Sequence, residues 1–145
     1  MDSPVSAPRL SDRPGYQLVK AAMKVRQQYA ETLAGLGLLP NHHAILSILN
    51  ELGPCHQKEL ALRVVVDPGD IVAYLDGLQK PGLVSRERDP EDRRRQIVTI
   101  TPAGLRRLRD ADAALDELEQ SVFGVLAARD RVTLAKLSSR LAESL

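Results

Sequence analysis

The spacing of apolar residues along the chain predicts six helices and one hairpin. Val19, Ala22, Met23, Val25, Arg26, Tyr29, Ala30 and Leu33 line one side of a helix over about Pro14–Leu36, which Gly35 and Gly37 end. Asn41 is placed to cap a second helix whose buried face is Ile45, Leu46, Ile48, Leu49 and Leu52, and Gly53-Pro54 stops it. A short third helix, about Gln57–Val64, turns Leu60, Ala61 and Val64 inward. Asp67-Pro68-Gly69-Asp70 opens a fourth: Asp67 suits the cap, Pro68 the first helical position, and Asp70 the positive end of the helix dipole. Ile71, Tyr74, Leu75 and Leu78 repeat along it until Pro81-Gly82. Two strands follow, Leu83–Arg88 and the β-branched Gln96–Ile100, with a charged tip Asp89–Arg95 between them. Thr101-Pro102 starts a fifth helix to about Val125, where Leu108, Leu115 and Val122, and likewise Ala111, Leu118 and Val125, recur at heptad spacing. Such a seam suits packing on another helix, of a second copy or of the same chain. A sixth helix, about Arg131–Ser144, carries Val132, Leu134, Leu137 and Leu141.

Composition narrows the class. A chain of 145 residues can build one domain with its own core. No apolar run approaches bilayer length, so no membrane partner is expected, and Met1–Arg13 reads as a flexible arm rather than an export signal. A cytoplasmic location follows as the expectation, in keeping with a single cysteine, Cys55, which has no disulfide partner and reads as a small buried residue. With Tyr16, Tyr29, Tyr74 and Phe123 as the only aromatic side chains, base-stacking modules for single strands are disfavoured.

The net charge of +1 hides a local concentration of arginine: Arg86, Arg88, Arg93, Arg94, Arg95, Arg106, Arg107 and Arg109, partly offset by Glu87, Asp89, Glu91 and Asp92. Such a run serves either a phosphate backbone or a solvated surface. The order of elements gives the first a structural setting, while the tip could equally be a solvated turn. A short helix, a turn, a second helix and a hairpin form a winged helix-turn-helix, whose second helix fits the major groove while the hairpin tip reaches the adjacent minor groove, where arginine is attracted.

The run Leu75-Asp76-Gly77-Leu78-Gln79-Lys80-Pro81-Gly82-Leu83-Val84, then Arg86, then Asp89-Pro90-Glu91-Asp92-Arg93-Arg94, then Val98-Thr99-Ile100-Thr101-Pro102-Ala103-Gly104, resembles the MarR family of winged helix-turn-helix transcriptional regulators. Leu52-Gly53-Pro54 and Glu59-Leu60-Ala61 fit the same family's second and third helices. The resemblance implies a mainly α fold with a two-stranded wing and an α-helical dimerisation layer. In this chain residues 14–36 and 102–145 would form that layer and residues 41–101 the DNA-binding lobe, within one domain over residues 14–145. It also implies a homodimer on a pseudo-palindromic double-stranded operator. Arg94 would enter the minor groove, Asp92 would steady it, and Arg88, Arg93 and Arg95 would stand beside it.

The fourth helix departs from the family. Gly69, Asp70, Val72, Ala73 and Gly77 stand where Ser, Thr and Arg are usual, and no basic residue lies between Arg63 and Lys80. Asp70 can accept from a cytosine amino group or merely complement the helix dipole, and Tyr74 can face a base or the core. Gln57 and Lys58, at the start of the third helix, are better phosphate-contact candidates, and they also suit plain surface positions. Relatives bind small anionic or phenolic effectors between the two layers. The corresponding residues here are Tyr16, Arg26, Tyr29, His42 and His43, all of which also suit ordinary interface or surface positions. Neither a cofactor nor a metal site is expected, since the histidines and Cys55 do not fall at ligand spacing. With no phosphate-cradling loop or nucleophile elbow, no catalytic residue is assigned and an enzyme is not expected. The expected function is a dimeric, sequence-specific regulator, a repressor answering to a small molecule. The alternative is a protein-interaction module that kept the fold and lost specific DNA reading.

Overall fold

The computed structural model describes residues 6–145, and the portion of the expected arm before residue 6 lies outside the described residues. After a 3₁₀ turn at Leu10–Asp12 come α1 (Pro14–Ala34), α2 (Pro40–Leu52), β1 (Cys55–His56), α3 (Gln57–Val64), α4 (Pro68–Gln79), β2 (Val84–Arg88), β3 (Gln96–Ile100), α5 (Pro102–Val122) and α6 (Ala128–Ser144). The architecture is mainly helical with a small antiparallel sheet, a winged helix-turn-helix.

One core serves the helix-turn-helix, the sheet and α5. Leu33 of α1, Ile45, Leu46 and Leu49 of α2, Leu60 of α3, Ile71, Leu75 and Leu78 of α4, and Val84 and Val98 of the sheet are fully buried. The sheet has a third strand that the hydrophobic pattern does not predict. β1 pairs with β3 (Cys55 opposite Val98, His56 opposite Ile97) on the side away from β2. Two residues are too few to show alternation, and Gly53-Pro54 marks only the end of α2.

Several boundaries also shift. α2 begins at Pro40 with Leu39 at the cap position instead of Asn41. Leu39 has no side-chain acceptor, and its backbone N–H donates to Nδ1 of His42 at 3.0 Å. α5 ends at Val122, so Val125 lies beyond it and is 90% exposed. α6 starts at Ala128, three residues before the expected Arg131, because Ala127 already takes the extended cap conformation. The heptad seam of α5 is used within the chain: Leu108, Ala111 and Leu115 are buried in the shared core. By contrast α1 leaves Leu18, Val19 and Met23 exposed, and α6 buries none of its residues.

Two junctions set the helix-turn-helix and the wing. At the end of α3, Val65 adopts the left-handed conformation (φ 59°, ψ 53°). Val65 N–H then donates to the Leu62 carbonyl and Val66 N–H to the Ala61 carbonyl, closing a Schellman-type stop. Where the wing meets α5, Thr101 Oγ1 accepts from Gly104 N–H at 3.0 Å and donates to the Gly82 carbonyl at 2.6 Å. A Cβ on Gly104 would collide with the Leu83 carbonyl oxygen, so only glycine lets α5 start so close to the wing.

Candidate nucleic-acid interface

α4 is positioned by its buried side, Ile71, Leu75 and Leu78, which leaves Gly69, Val72, Ala73 and Asp76 on the exposed side. Asp67 occupies the cap position but makes no side-chain cap hydrogen bond. Asp76 is not a free negative charge. The Arg86 guanidinium, brought by β2, pairs with the Asp76 carboxylate and donates through Nε to Gln79 Oε1 at 2.7 Å. This arrangement neutralises part of the acidity that would oppose phosphate and ties α4 to the wing.

Tyr74 turns toward the core, half-buried, with the His42 ring edge-on at 5.6 Å between centroids and 87° between planes. Packed here, Tyr74 belongs to the joint between α2 and α4 and does not stand on the exposed side. His42 is buried, accepting at Nδ1 from Leu39 N–H and bonding the Tyr74 backbone. Burial pushes its pKa below the ordinary 6.5, and the backbone bond opposes this only in part. Gly77 admits the ring: a Cβ there would stand 3.0 Å from His42 Nε2.

The wing tip is a braced loop. Asp92 accepts from Arg94 at the backbone N–H (3.2 Å), at Nε (3.1 Å) and at Nη2 (3.3 Å). These bonds hold the Asp92 carboxyl below the usual carboxylate range. The Arg94 side chain stays 91% exposed, so it is oriented without being consumed. Arg88 braces the loop from below, its Nη1 donating to the Arg93 carbonyl at 2.8 Å. At the base, Asp89 uses both oxygens: one accepts from Glu91 N–H at 2.9 Å and the other meets His56 Nε2 at 2.8 Å. The His56 contact is the main cause of the lowered Asp89 pKa. His56 precedes α3, so this bond fastens the wing to the start of the helix-turn-helix. His56, Asp89 and Arg86 join the site through bonds between residues distant in the chain, which the pattern of apolar and polar positions does not reveal.

These parts converge on one concavity of about 680 Å³, lined by His56, Gln57 and Lys58 of the β1–α3 segment, Pro68 and Ile71 of α4, and Asp92, Arg94, Arg95 and Gln96 of the wing. Gln57 Oε1 is buried there without a hydrogen-bond partner among the described residues. Arg93 is exposed at the tip, and Asp70 is exposed on the flank of α4 next to Asn41, Leu62 and Tyr74. Lys58 and Arg95 are exposed as well. A cationic rim beside an exposed helix is what a duplex backbone and groove require.

The effector candidates are dispersed. Arg26 and Tyr29 line a second cavity of about 750 Å³ between α1, α5 and α6, where the Tyr29 hydroxyl donates to Glu119. Tyr16 lies outside it, 40% exposed, with Lys20 Nζ 5.9 Å from its ring centroid. His43 joins α2 to α5 through Asp112 Oδ1 at 2.8 Å, and His42 serves the α4 joint described above. α2 contributes only Pro40 to this cavity, and α6 supplies Arg131, Leu134, Ala135 and Ser138. Cys55 is buried, and burial followed by the nearby Glu59 charge pushes its thiol pKa up, which suppresses the reactive thiolate. Among the described residues no three His, Cys, Asp or Glu side chains gather as a metal site.

Comparison with known proteins accords with this geometry. The family model described as the MarR family matches residues 38–95. The uncharacterized HTH-type transcriptional regulator YcgE of Bacillus subtilis is 38% identical over 82 residues, 57% of this chain and 53% of YcgE, so the match spans about half of that relative's length. The crystal structure of a probable transcriptional regulator from Pseudomonas aeruginosa is 35% identical, with a TM-score of 0.78 over 92% of this chain and 99% of that one. The transcriptional repressor CouR bound to a 23-mer DNA duplex is 27% identical, with a TM-score of 0.87 over 94% of this chain and 99% of that one. CouR from Rhodococcus jostii RHA1 is also known bound to p-coumaroyl-CoA, where the likeness is 24% identity and a TM-score of 0.84 over 94% of this chain and 96% of that one. The matched relatives are transcriptional regulators rather than enzymes.

Proposed function

The chain belongs to the MarR family of DNA-binding transcriptional regulators, and we propose that it works as a homodimeric, sequence-specific repressor of a pseudo-palindromic operator, released by a small-molecule signal. The observation that carries this reading is the concavity shared by Lys58, Gln57, the first turn of α4 and the wing residues Arg94 and Arg95. α4 enters the major groove, Arg94 reaches the minor groove, and the start of α3 meets the phosphates between them. The test is fluorescence anisotropy with a duplex from upstream of the protein's own gene and a scrambled duplex, each at two salt concentrations. The reading expects a steep salt dependence and a preference of roughly a thousandfold or more for the native duplex. Equal affinity for both duplexes would refute it and favour the interaction module.

Dimerisation is supported by apolar surface that the chain does not cover itself: Leu18, Val19 and Met23 on α1, and Val132, Leu137 and Leu141 on α6. Light scattering on a sizing column should give twice the chain mass; a monomer at micromolar concentration rejects the two-headed arrangement. The signal is assigned to the cavity at Arg26 and Tyr29, whose guanidinium and phenol suit a small anionic or phenolic compound. A panel of hydroxybenzoates and hydroxycinnamates should include at least one that raises Tm and weakens operator binding. A cytoplasmic location goes with this reading; no helix among the described residues is long and apolar enough to cross a membrane.

A further inference from the structure

The exposed side of α4 has almost no free hydrogen-bonding chemistry. Asp76 and Gln79 stand on it, but Arg86 engages the Asp76 carboxylate and the Gln79 amide oxygen, which leaves Gln79 only its amide N–H groups near the end of the helix. Tyr74 is turned inward against His42. Asp70 accepts only, and sits on the flank toward Asn41 and Leu62. Lys80 comes after the last turn of the helix. What remains in the middle of the exposed side is Gly69, the Ala73 methyl and the Val72 side chain, 41% exposed.

Base pairs make specific demands. Guanine is read by an arginine or lysine donating to its O6 and N7, and adenine by an amide that both donates and accepts. The free side of α4 offers neither group. The one apolar feature of the major groove is the C5-methyl of thymine. An isopropyl group and a methyl on adjacent residues, flanked by a glycine that keeps the backbone slim, match that feature and no other base edge.

We propose that α4 selects its half-site by packing Val72 and Ala73 against thymine C5-methyl groups, so that discrimination rests on T·A pairs under the helix and not on a guanine contact. Charge plays no part in this step. The arginines of the wing and Lys58 supply attraction for any duplex, and the apolar contact supplies preference. The inference rests on the reading that α4 lies in the major groove of duplex DNA.

The experiment uses the wild-type protein and a synthetic library of randomised duplexes. The best-enriched duplex is made again with deoxyuridine for thymidine in each half-site, which deletes the methyl and keeps the base pair. The expected result is a two-fold-symmetric site with T·A pairs in each half, and a loss of about fourfold in affinity per packed methyl removed. Replacing such a pair by C·G should weaken binding, and 5-methylcytosine at that place should restore part of it. Val72→Ala, on the exposed side and therefore harmless to the core, should shrink the preference for thymidine over deoxyuridine. A deoxyuridine duplex bound as tightly as its thymidine parent, or a half-site of G·C pairs alone, overturns the methyl contact and leaves the DNA-binding reading standing. Failure to enrich any site over random DNA overturns both.

Discussion

Val65 occupies a conformation that its side chain resists. At φ 59° and ψ 53° its Cβ crowds the following carbonyl, which costs an L-residue about 1–2 kcal/mol, and branching at Cβ adds to the crowding. The side chain recovers none of this by packing, because Val65 is 88% exposed. The chain keeps the conformation because the helix-turn-helix needs it: the stop formed by Val65 and Val66 N–H turns the backbone from α3 into α4. Val65→Gly removes the clash, and the greater freedom of glycine in the unfolded chain gives back about 0.5–1 kcal/mol. The balance is a stabilisation of about 1 kcal/mol, equivalent to about 3 °C in Tm for a domain of this size. Urea titration and thermal scans at one protein concentration would measure it, and the m-value should not change. Val65→Ala, which keeps a Cβ without the branch, should recover only a fraction. A Val65→Gly protein no more stable than wild type would refute the reasoning, as would one matched by Val65→Ala.

Other consequences follow from the wing, the α5 junction and the α2–α4 joint. Arg94→Ala should weaken duplex binding about tenfold or more and flatten its salt dependence; unchanged affinity at near-physiological salt removes the wing from the mechanism. Gly104→Ala drives a methyl into the Leu83 carbonyl and should destabilise the fold by about 3 kcal/mol in urea denaturation, whereas a shift within experimental error would contradict the close approach. His42 is neutral when folded, with its pKa below 6.5, so the unfolded chain takes up the proton first. Stability should therefore hold above about pH 6.5 and decline as pH falls from there toward the folded-state pKa. His42→Gln should lose this slope, and identical slopes for the two proteins between about pH 7 and about pH 5.5 would count against it.

Most of the fold can be read along the chain because its punctuation is local. Pro68 and Pro102 open helices, Gly53-Pro54 and Pro81-Gly82 close them, and the period of Ile71, Leu75 and Leu78 names the buried face of α4. β1 escapes notice because its pairing with β3 is a tertiary fact. The same reason hides the chemistry of the site. His56 and Asp89 are 33 residues apart, and Arg86 reaches back across a turn to Asp76 and Gln79. Composition suggests a helix burdened with acid; only the folded molecule shows that Asp76 has a cation of its own. His42 looks like a polar residue available to a ligand until Gly77 reveals how closely α4 approaches it.

α6 spans 17 residues and buries none of them in its own chain. Most of a helix's stability in a protein comes from packing its apolar face, and α6 buries no such face within its own chain. In the proposed homodimer its order would be something two molecules create together: folding of the C-terminal segment and encounter between copies would become a single equilibrium, governed by how much of the protein is present. Dilution should then fray the end of the molecule before it disturbs the reading head, and the grip on DNA should fade with falling concentration more steeply than a preformed clamp would allow.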